Sequence, residues 1–390
     1  MPEPPVRVCY VVSYFHPFAS GAERQALAQG AELAKRGHVV HVVTHWIPAY
    51  PREDVVRGIR IHRWVNTSKA GPLFGISFVA GVIRALRRLR SEFDVVHTHQ
   101  GLWEAVATGA GRGWLRGAPT LVQPASSGSY GEARELARTR GSRLLRRLIL
   151  RNQAFAAISA DIEREWQALG VPADRIVRMA SGVDAEHFRP GPSRLDSHLP
   201  HRPRVVYTGR LHAQKNLSLL IEAWRAVVAS TGAHLILVGG GLLGGREARA
   251  ELEAQARSLS IADHVHFTGT VADPAEYLRA ADAFVLPSVA EGMSNSLLEA
   301  MATGLPCLAS SIGGNTDLLT DGKTGLLVPP NDRDAWSNAL TQVVRDKELA
   351  RRLGAAARGR VENEFALTVV VDRYLELYRR LLGEGSVNEG

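Results

Sequence analysis

Short apolar runs alternate with segments of helical spacing along most of this chain. The first apolar run spans residues 6–13. Between 21 and 36, Ala and Leu recur every three or four positions, and Gly37 follows as glycine does after a helix. Continuous apolar strands that alternate with helices are typical of a parallel sheet covered on both faces. The pattern therefore predicts an α/β protein with doubly wound sheets.

This alternation of strands and helices occurs twice. It is interrupted over residues 189–203, which contain four prolines and no periodicity. In the first half the predicted strands are 6–13, 39–44, 59–65, 94–97, 120–123 and 154–159, and the predicted helices are 21–36, 74–89, 102–110, 134–151 and 161–169. In the second half the predicted strands are 204–208, 234–238, 265–268, 283–287 and 306–310, and the predicted helices are 217–230, 247–259, 275–281 and 296–303. We therefore expect a first Rossmann-like domain over 1–190, a linker over 191–203 and a second domain over 204–366.

Composition places the chain among ordinary globular proteins. Of its 390 residues, 45% are hydrophobic and 22% are charged, which excludes disordered, collagen-like and disulfide-rich proteins as overall classes. Cys9 and Cys307 lie in apolar surroundings, so we expect two buried free thiols in a reducing compartment. No secretory signal is visible, and no apolar run is long enough to span a membrane.

Excess positive charge is confined to the first half. Residues 1–190 hold 26 Lys and Arg against 16 Asp and Glu, whereas residues 191–390 hold 21 against 23. Such asymmetry indicates an anionic partner on the first half: a membrane surface, nucleic acid or a phosphorylated substrate. The alternative is an arginine-rich proteome. Nucleic acid is the less favoured partner, because the basic segments 84–90 and 134–151 lack interleaved aromatic residues.

The strongest chemical signal runs from Glu291 to Glu299. The predicted strand 283–287 leads into this segment and a helix is expected to start near Asn295, so both carboxylates can point toward one pocket. Free backbone N–H groups at the start of the helix would face an anion, and a carboxylate beside that anion would bind hydroxyl groups. These amides belong to Asn295, Ser296 and Leu297. The alternative is an ordinary capped helix with a solvated Glu299.

A second signal follows the first strand of the second half. Gly209 permits a tight turn, and Arg210 and Lys215 place two cations on one loop at the carboxyl end of a strand. A planar guanidinium together with an ammonium group suits a diphosphate. Two solvated loop cations are the alternative, but doubly wound sheets bind their ligands at this edge.

Three other motifs compete with these signals. Gly239–Gly244 has the spacing of a dinucleotide fingerprint, although it follows the second strand of its half and not the first. Asp332 and Asp334 form an Asp-x-Asp pair that we expect to cap the following helix. His97 and His99 alone are too few ligands for zinc. We therefore expect no metal site.

Taken together, Arg210, Lys215 and the segment from Glu291 to Glu299 resemble glycosyltransferase family 4, a group of retaining, nucleotide-sugar-dependent enzymes of the GT-B fold. Further similar segments are 20–23, 33–40, 94–99, 157–159, 181–184, 238–241, 269–271, 286–288, 300–306, 313–314 and 321–326. The resemblance implies two Rossmann-like domains that face each other across a cleft, with the acceptor on the first and the donor on the second. It also implies that the final helix, at about 367–383, crosses back onto the first domain.

The resemblance implies that three residues carry the chemistry. Arg210 and Lys215 would hold the donor diphosphate and stabilise the charge on the leaving group. Glu291 would contact hydroxyl groups of the donor sugar. In this family the leaving phosphate itself accepts the proton of the acceptor hydroxyl, so the reaction retains configuration without an enzymic nucleophile, a metal or a cofactor.

The rest of the donor site is implied in the same way. Glu299 would bind the ribose hydroxyls, Val271 would lie against the base, and the loop at Gly21 would close over the diphosphate. The remaining contacts would come from the segment that comprises Gly292, Met293, Ser294, Asn295, Ser296 and Leu297.

On the acceptor side the chain departs from the family pattern. Many members have a histidine after the strand that corresponds to 120–123, whereas this chain has Gln123. The acceptor-side candidates are Gln123, Ser126, Ser127 and His99. We expect His97, on the buried strand, to be a core histidine and His99, at the strand end, to be the better acceptor-side candidate.

We therefore predict a metal-independent hexosyltransferase that uses a UDP- or GDP-sugar and a hydroxyl acceptor, such as a lipid-linked compound or an oligosaccharide. The expected settings are cell-envelope polysaccharide, glycolipid or glycosylated-metabolite synthesis. We expect a cytoplasmic protein with peripheral binding to the anionic inner face of the cell membrane, and no nucleic-acid partner. The alternatives are a non-catalytic nucleotide-sugar-binding protein and an NAD-dependent oxidoreductase that uses Gly239–Gly244.

Overall fold

The protein consists of two compact α/β units, each built on its own sheet. The computed structural model describes residues 4–17, 20–68, 71–240 and 245–383. The chain passes from the first unit to the second after Gly182 and returns to the first after Ala366. The segment 191–203 belongs to the second unit, where the Ser193 hydroxyl donates to the Glu276 carbonyl oxygen at 2.8 Å.

The sheet of the first unit has eight strands in the order β3-β4-β2-β1-β5-β6-β7-β8. The strands are β1 (Arg7–Val11), β2 (Val39–His45), β3 (Glu53–Val56), β4 (Ile59–Val65), β5 (Val95–Thr98), β6 (Thr120–Val122), β7 (Ala154–Ala157) and β8 (Ile176–Arg178). Neighbouring strands are parallel except for the hairpin of β3 and β4. Strands β1, β5, β6 and β7 are almost wholly buried, because helices cover both faces of a parallel sheet.

The helices of the first unit that precede Gly182 are α1 (Gly21–Lys35), α2 (Gly71–Arg88), α3 (Trp103–Gly111), α4 (Glu132–Arg138), α5 (Ser142–Ile149) and α6 (Ala160–Ala168). Gly37 follows α1 with a positive φ of 87°, as predicted for the residue that ends this helix. The prediction of a single helix over 134–151 is wrong. Gly141 has a φ of +78° and separates α4 from α5, since left-handed backbone does not continue an α-helix.

The sheet of the second unit has six parallel strands in the order β11-β10-β9-β12-β13-β14. The strands are β9 (Arg204–Thr208), β10 (His234–Val238), β11 (Val265–Gly269), β12 (Ala283–Leu286), β13 (Cys307–Ser310) and β14 (Leu326–Val328). The helices are α7 (Leu217–Thr231), α8 (Gly245–Ser258), α9 (Ala275–Arg279), α10 (Asn295–Ala302), α11 (Gly313–Thr316), α12 (Arg333–Arg345) and α13 (Lys347–Arg360). The predicted α/β class with doubly wound sheets is confirmed.

The last helix, α14 (Leu367–Leu382), belongs to the first unit. It packs against α1, and its Tyr374 and Tyr378 are buried against the sheet. Arg36 at the end of α1 forms an ion pair with Asp372 of α14 at 2.5 Å. The C-terminal segment therefore completes the core of a unit that begins almost 370 residues earlier in the chain.

Cys9 and Cys307 are buried free thiols, as predicted. Burial raises the pKa of both thiols, so they are poor nucleophiles. No helix among the described residues is long and apolar enough to cross a membrane.

Each sheet carries two histidines that are hydrogen-bonded to each other across neighbouring strands. His41 Nδ1 lies 2.9 Å from His62 Nε2, and His234 Nδ1 lies 2.9 Å from His266 Nε2. In each pair one ring nitrogen has to accept, so two charged rings are incompatible with the contact. Burial is the largest cause that lowers the pKa of His41, His62 and His234 to about 4.

We expect the protein to lose stability as the pH falls from about 6.5 toward 4, because in this range the unfolded chain takes up protons that the folded chain excludes. Circular dichroism should show the melting temperature falling by on the order of 10 °C over this range. The variant His41→Asn/His62→Asn should show a smaller fall, and His198→Asn, at an exposed position, should follow the unmodified protein. An equal fall in all three proteins would assign the acid sensitivity to other groups.

Candidate active site

The strand order of the second unit reverses between β9 and β12. From β9 the chain moves outward to β10 and β11, and β12 then returns to the other side of β9. In sheets of this kind the ligand crevice lies beyond the carboxyl ends of the two strands at the reversal. The loops that leave β9 and β12 carry Lys215 and Glu291.

Lys215 and Glu291 form an ion pair, with 2.5 Å between Nζ and Oε1. Their side chains are only 13% and 9% exposed. A pair so shielded from water loses hydration free energy that its mutual attraction does not always return. The structure thus brings together two residues that were singled out separately from the sequence, and it joins the two loops at the reversal point.

Gln214 ties the same two loops together through the backbone. Its side-chain Nε2 donates to the Ala290 carbonyl oxygen at 2.7 Å, and its backbone carbonyl oxygen accepts from the Val289 amide at 2.9 Å. Gln214 was not among the predicted site residues, because a glutamine beside a lysine carries no signal in the sequence until its partner loop is known. Gln214 holds the Lys215 backbone at a set distance from the loop of Glu291.

Arg210 lies on the loop of Lys215, and its side chain is exposed. The buried Tyr207 hydroxyl donates to the Arg210 carbonyl oxygen at 2.8 Å, which fixes the backbone beneath the guanidinium. Gly209 has a φ of +154°, and a Cβ at this position would lie 2.5 Å from the Tyr207 hydroxyl. The turn therefore requires glycine, as the sequence predicted.

Helix α10 begins directly after the loop of Glu291. Ser294 is its N-cap, and the Ser294 hydroxyl accepts from the Leu297 amide at 3.4 Å. The prediction that this amide is free to face an anion is therefore wrong. Asn295 and Ser296 form the first turn and are half-buried.

Glu299 is buried inside α10, so the alternative of a solvated helix residue is also wrong. Two buried carboxyl groups therefore lie close in sequence, that of Glu291 in the loop before α10 and that of Glu299 in α10 itself. Buried carboxyl groups are retained where they meet specific partners. Between them, Gly292 is buried and Met293 is half-buried.

Two close backbone contacts shape this edge of the sheet. A Cβ on Gly314 would lie 2.3 Å from the Gly292 carbonyl oxygen, and a Cβ on Gly239 would lie 2.0 Å from the Gly209 carbonyl oxygen. Only glycine allows these approaches. The loop of Glu291 therefore rests on the start of α11, and the loops after β9 and β10 rest on each other.

The dinucleotide motif Gly239–Gly244 is partly outside the described residues, since Gly241 and Gly244 are not among them. The close contact with the Gly209 carbonyl oxygen explains why position 239 requires glycine, so a bound cofactor is not needed to explain it. Val271, predicted to lie against the base, is half-buried beyond the carboxyl end of β11 at the same edge of the sheet.

In the first unit, His97 and Gln123 lie in the core. His97 Nδ1 is 2.7 Å from the Tyr378 hydroxyl, and His97 Nε2 is 3.1 Å from Gln123 Oε1. Gln123 Oε1 also accepts from the Tyr374 hydroxyl at 2.5 Å. The core position of His97 is as predicted. The carbonyl of Gln123 already has two donors, so its side chain belongs to the packing of α14.

His99 differs from His97 in its surroundings. It is buried between the rings of Tyr10 and His97, with centroid distances of 4.5 and 4.3 Å. Neither of its ring nitrogens has a hydrogen-bond partner among the described residues. Burial and the neighbouring His97 lower the pKa of His99 well below its usual value, so the ring is neutral. A neutral imidazole can both donate and accept.

The other predicted residues of the first unit lie on loops or at a helix end. The Ser126 hydroxyl donates to the Tyr130 carbonyl oxygen at 2.7 Å. Ser127 is buried. Gly21 is the exposed first residue of α1. The structure does not bring these three residues together with His99 through any hydrogen bond that it shows.

A polar cluster missed from the sequence lies at the reversal point of the first sheet, between β1 and β5. The Ser13 hydroxyl donates to Glu104, and the Ser13 carbonyl oxygen accepts from His45 Nδ1 at 2.7 Å. Burial raises the pKa of Glu104 to about 7. This carboxyl group carried no signal in the sequence, because the segment around it matches no catalytic spacing.

No group of three or more His, Cys, Asp or Glu side chains within the described ranges could hold a metal ion.

Comparisons with known proteins cover both units. Residues 19–187 match the family model described as Glycosyltransferase Family 4, and residues 202–346 match the one described as Glycosyl transferases group 1. The chain is 31% identical to a D-inositol 3-phosphate glycosyltransferase of Rhodococcus erythropolis, over 93% of this chain and 87% of that protein. It is 29% identical to a GDP-mannose-dependent alpha-(1-6)-phosphatidylinositol monomannoside mannosyltransferase of Mycobacterium tuberculosis, over 90% and 92%.

Among solved structures, Anabaena HepE in complex with UDP-glucose is similar with a TM-score of 0.79 and 20% identity, over 96% of this chain and all of that one. This likeness establishes the GT-B fold class that the sequence predicted. The alternatives of an oxidoreductase and of a non-catalytic binding protein find no support in these matches. The relatives at 31% and 29% identity span nearly the whole chain and are named as glycosyltransferases. The chain therefore belongs to glycosyltransferase family 4 and is a nucleotide-sugar-dependent glycosyltransferase.

Proposed function

We propose that this protein transfers a hexosyl group from a UDP- or GDP-sugar to a hydroxyl acceptor with retention of configuration and without a metal ion. The observation that carries the proposal is the Lys215–Glu291 ion pair at the reversal point of the second sheet, with Arg210 on the same loop. Two cations at this point suit the diphosphate of a donor. A carboxylate between them and α10 suits the hydroxyl groups of a sugar.

The reaction breaks the bond between the anomeric carbon and the diphosphate and forms a bond from the same carbon to the acceptor oxygen on the same face. The negative charge that develops on the leaving diphosphate is stabilised by Arg210 and Lys215. The acceptor proton passes to the leaving phosphate oxygen. Glu291 is paired with Lys215, which supports a binding role for its carboxylate and not attack on the sugar.

The remaining donor contacts are assigned to residues at the same edge. Glu299 binds the ribose, Val271 lies against the base, and the segment from Gly292 to Ser296 contacts the sugar and phosphate. Names of similar proteins include both GDP-mannose and UDP-glucose, which supports a purine or a uracil base equally.

The acceptor is assigned to the first unit. His99 is buried at the carboxyl end of β5, and its nitrogens have no partner among the described residues. A hydroxyl group of the acceptor would satisfy one of them. The related mannosyltransferase is named for a phosphatidylinositol monomannoside and the related inositol enzyme for a phosphorylated cyclitol, so polyhydroxylated acceptors suit this site.

Peripheral binding to an anionic membrane on the cytoplasmic side is part of the proposal. Helix α5 is strongly amphipathic, with Arg143, Arg147 and Leu144 exposed. Helix α2 exposes Leu73 and Ile76 before its basic end. Apolar and basic side chains presented together are typical of helices that lie on anionic lipid surfaces.

Replacing either member of the ion pair should abolish turnover of the donor. We expect Lys215→Met and Glu291→Gln to slow acceptor-free hydrolysis of the preferred nucleotide sugar by about a hundredfold or more, since each removes a charge that meets the donor. Each single variant also removes an opposite charge from beside a buried one, so the melting temperature should fall.

The double variant Lys215→Met/Glu291→Gln separates these effects, because it should recover stability and remain inactive. Lys323→Met, an exposed lysine in the same unit, is the matched control and should retain full hydrolysis. Normal turnover in a folded single variant would overturn the site assignment.

A nucleotide panel should identify the base. We expect UDP or GDP, and the matching sugar nucleotide, to raise the melting temperature, because a ligand of the folded state stabilises it by mass action. ADP, TDP and NAD serve as comparisons, and Lys215→Met should lose most of the shift. Stabilisation by NAD alone would contradict the proposal. With the donor known, proton NMR of the first anomer released would report retention or inversion.

Vesicle flotation should test the membrane contact. We expect binding to anionic vesicles at about 50 mM salt and its loss at about 500 mM, because exposed charges are screened at high ionic strength. Neutral phosphatidylcholine vesicles should not bind. Arg143→Glu/Arg147→Glu should abolish binding, whereas Arg225→Glu, exposed on the second unit, should not. Equal flotation of both variants would remove α5 from the proposal.

A further inference from the structure

The loop that follows β2, residues 46–52, presents two aromatic rings to solvent. Trp46 is 38% exposed and Tyr50 is 36% exposed. Isolated exposed aromatic residues are common, but two on one seven-residue loop at the ligand-binding edge of a sheet are not accounted for by the core. We define these residues as the β2 loop.

Each ring of the β2 loop has one face covered by an arginine. The Arg52 guanidinium carbon lies 4.4 Å from the centroid of Trp46, and that of Arg63 lies 5.6 Å from the centroid of Tyr50. A guanidinium stacked on a ring holds that ring in one orientation. The exposed area of both rings is therefore a fixed surface and not a freely rotating side chain.

The backbone of the β2 loop is held at both ends and in the middle. The Trp46 amide donates to the Val65 carbonyl oxygen at 2.8 Å, and the Tyr50 amide donates to the Ile47 carbonyl oxygen at 2.9 Å. At the far end, the Arg63 amide donates to the Arg52 carbonyl oxygen at 2.7 Å. Two prolines within the loop restrict it further. A surface ordered in this way has little entropy to lose when a ligand binds.

Arg63 also links the β2 loop to the loop that follows β1. It is 1% exposed, and its guanidinium donates to the carbonyl oxygens of Pro51 at 3.0 Å and His16 at 2.9 Å. Strands β1 and β2 are neighbours, and the reversal point of this sheet lies on the other side of β1. The aromatic surface therefore lies one strand away from the crevice where the acceptor is assigned.

Charge around the β2 loop is balanced. Arg63 pairs with Asp54 at 3.3 Å, and Arg52 is followed directly by Glu53. This differs from α5, where exposed arginines predominate. An aromatic surface with a mixed polar rim suits a neutral ligand with an apolar C–H face and a hydroxyl edge, which describes a pyranose ring.

We propose that the β2 loop is an acceptor subsite in which Trp46 and Tyr50 stack against a neutral pyranose ring. The inference rests on the proposed transferase function and deepens it. The acceptor is then a glycan or glycoside that spans at least two positions: the ring that carries the reacting hydroxyl group near β1 and β5, and a further ring on the β2 loop.

Isothermal titration calorimetry of the full chain with neutral oligosaccharides of glucose, mannose and galactose tests this directly, without need of the native acceptor. We expect at least one series to bind, with affinity that increases from the monosaccharide to the di- or trisaccharide. Trp46→Ala and Tyr50→Ala should each weaken binding by about tenfold or more, and Trp46→Tyr should retain most of it.

Two controls separate this subsite from other sites. Trp114→Ala removes an aromatic ring that is 50% exposed and also carries an arginine, Arg87 at 5.4 Å, but lies between α3 and β6 at the opposite edge of the sheet. It should bind oligosaccharides normally. Lys215→Met, impaired at the donor site, should also bind them normally, so failure of the transferase proposal and failure of this one are distinguishable.

Three results would overturn the proposal. They are absence of binding across the panel, equal loss in the Trp114 and Trp46 variants, and loss of vesicle flotation in Trp46→Ala without any sugar binding. The last result would assign the β2 loop to a membrane surface. Melting temperatures of all variants accompany the titrations, and Trp46→Tyr keeps the test decisive if Trp46→Ala is poorly folded.

Discussion

The ion pair between Lys215 and Glu291 is the contact on which the site of the second unit depends. A parallel sheet separates its loops widely in sequence, and these two residues are brought together only because β12 returns to the side of β9. Placing both charges out of water is costly. Gln214 and the close approach of Gly314 to Gly292 hold the loops at the distance where the pair can form. Supporting contacts of this kind around an energetically costly ion pair are expected at a functional site.

The first unit also buries polar side chains that need partners, but here the side chains are neutral. His97 lies on β5 and Gln123 directly follows β6, and both are buried, so their polar atoms need partners inside the core. Tyr374 and Tyr378 supply those partners from the last helix of the chain. The C-terminal helix therefore belongs to the first unit through its hydrogen bonds as well as through its position in the fold.

His99, which directly follows β5, contrasts with His97. Its neighbour His97 is fully hydrogen-bonded, whereas His99 has ring contacts but no hydrogen bond among the described residues. The buried carboxyl group of Glu104 and the fixed rings of the β2 loop lie at the same edge of the sheet. A histidine without a hydrogen-bond partner among the described residues, a buried carboxyl group and partly exposed aromatic rings thus occur together on the edge where parallel sheets bind ligands.

Local pattern in the sequence determined the elements, and tertiary structure decided how their residues meet. Apolar runs and terminal glycines such as Gly37 predicted most strands and helices, because a strand buried on both faces is a run of apolar residues and a positive φ favours glycine. The short edge strands β3, β8 and β14 were missed, since their half-exposed residues do not form such apolar runs. The spacing from Glu291 to Glu299 indicated a site but not the pairing of Glu291 with Lys215 across 76 residues. That pairing depends on strand order, and one sequence pattern is compatible with several strand orders until the sheet is assembled.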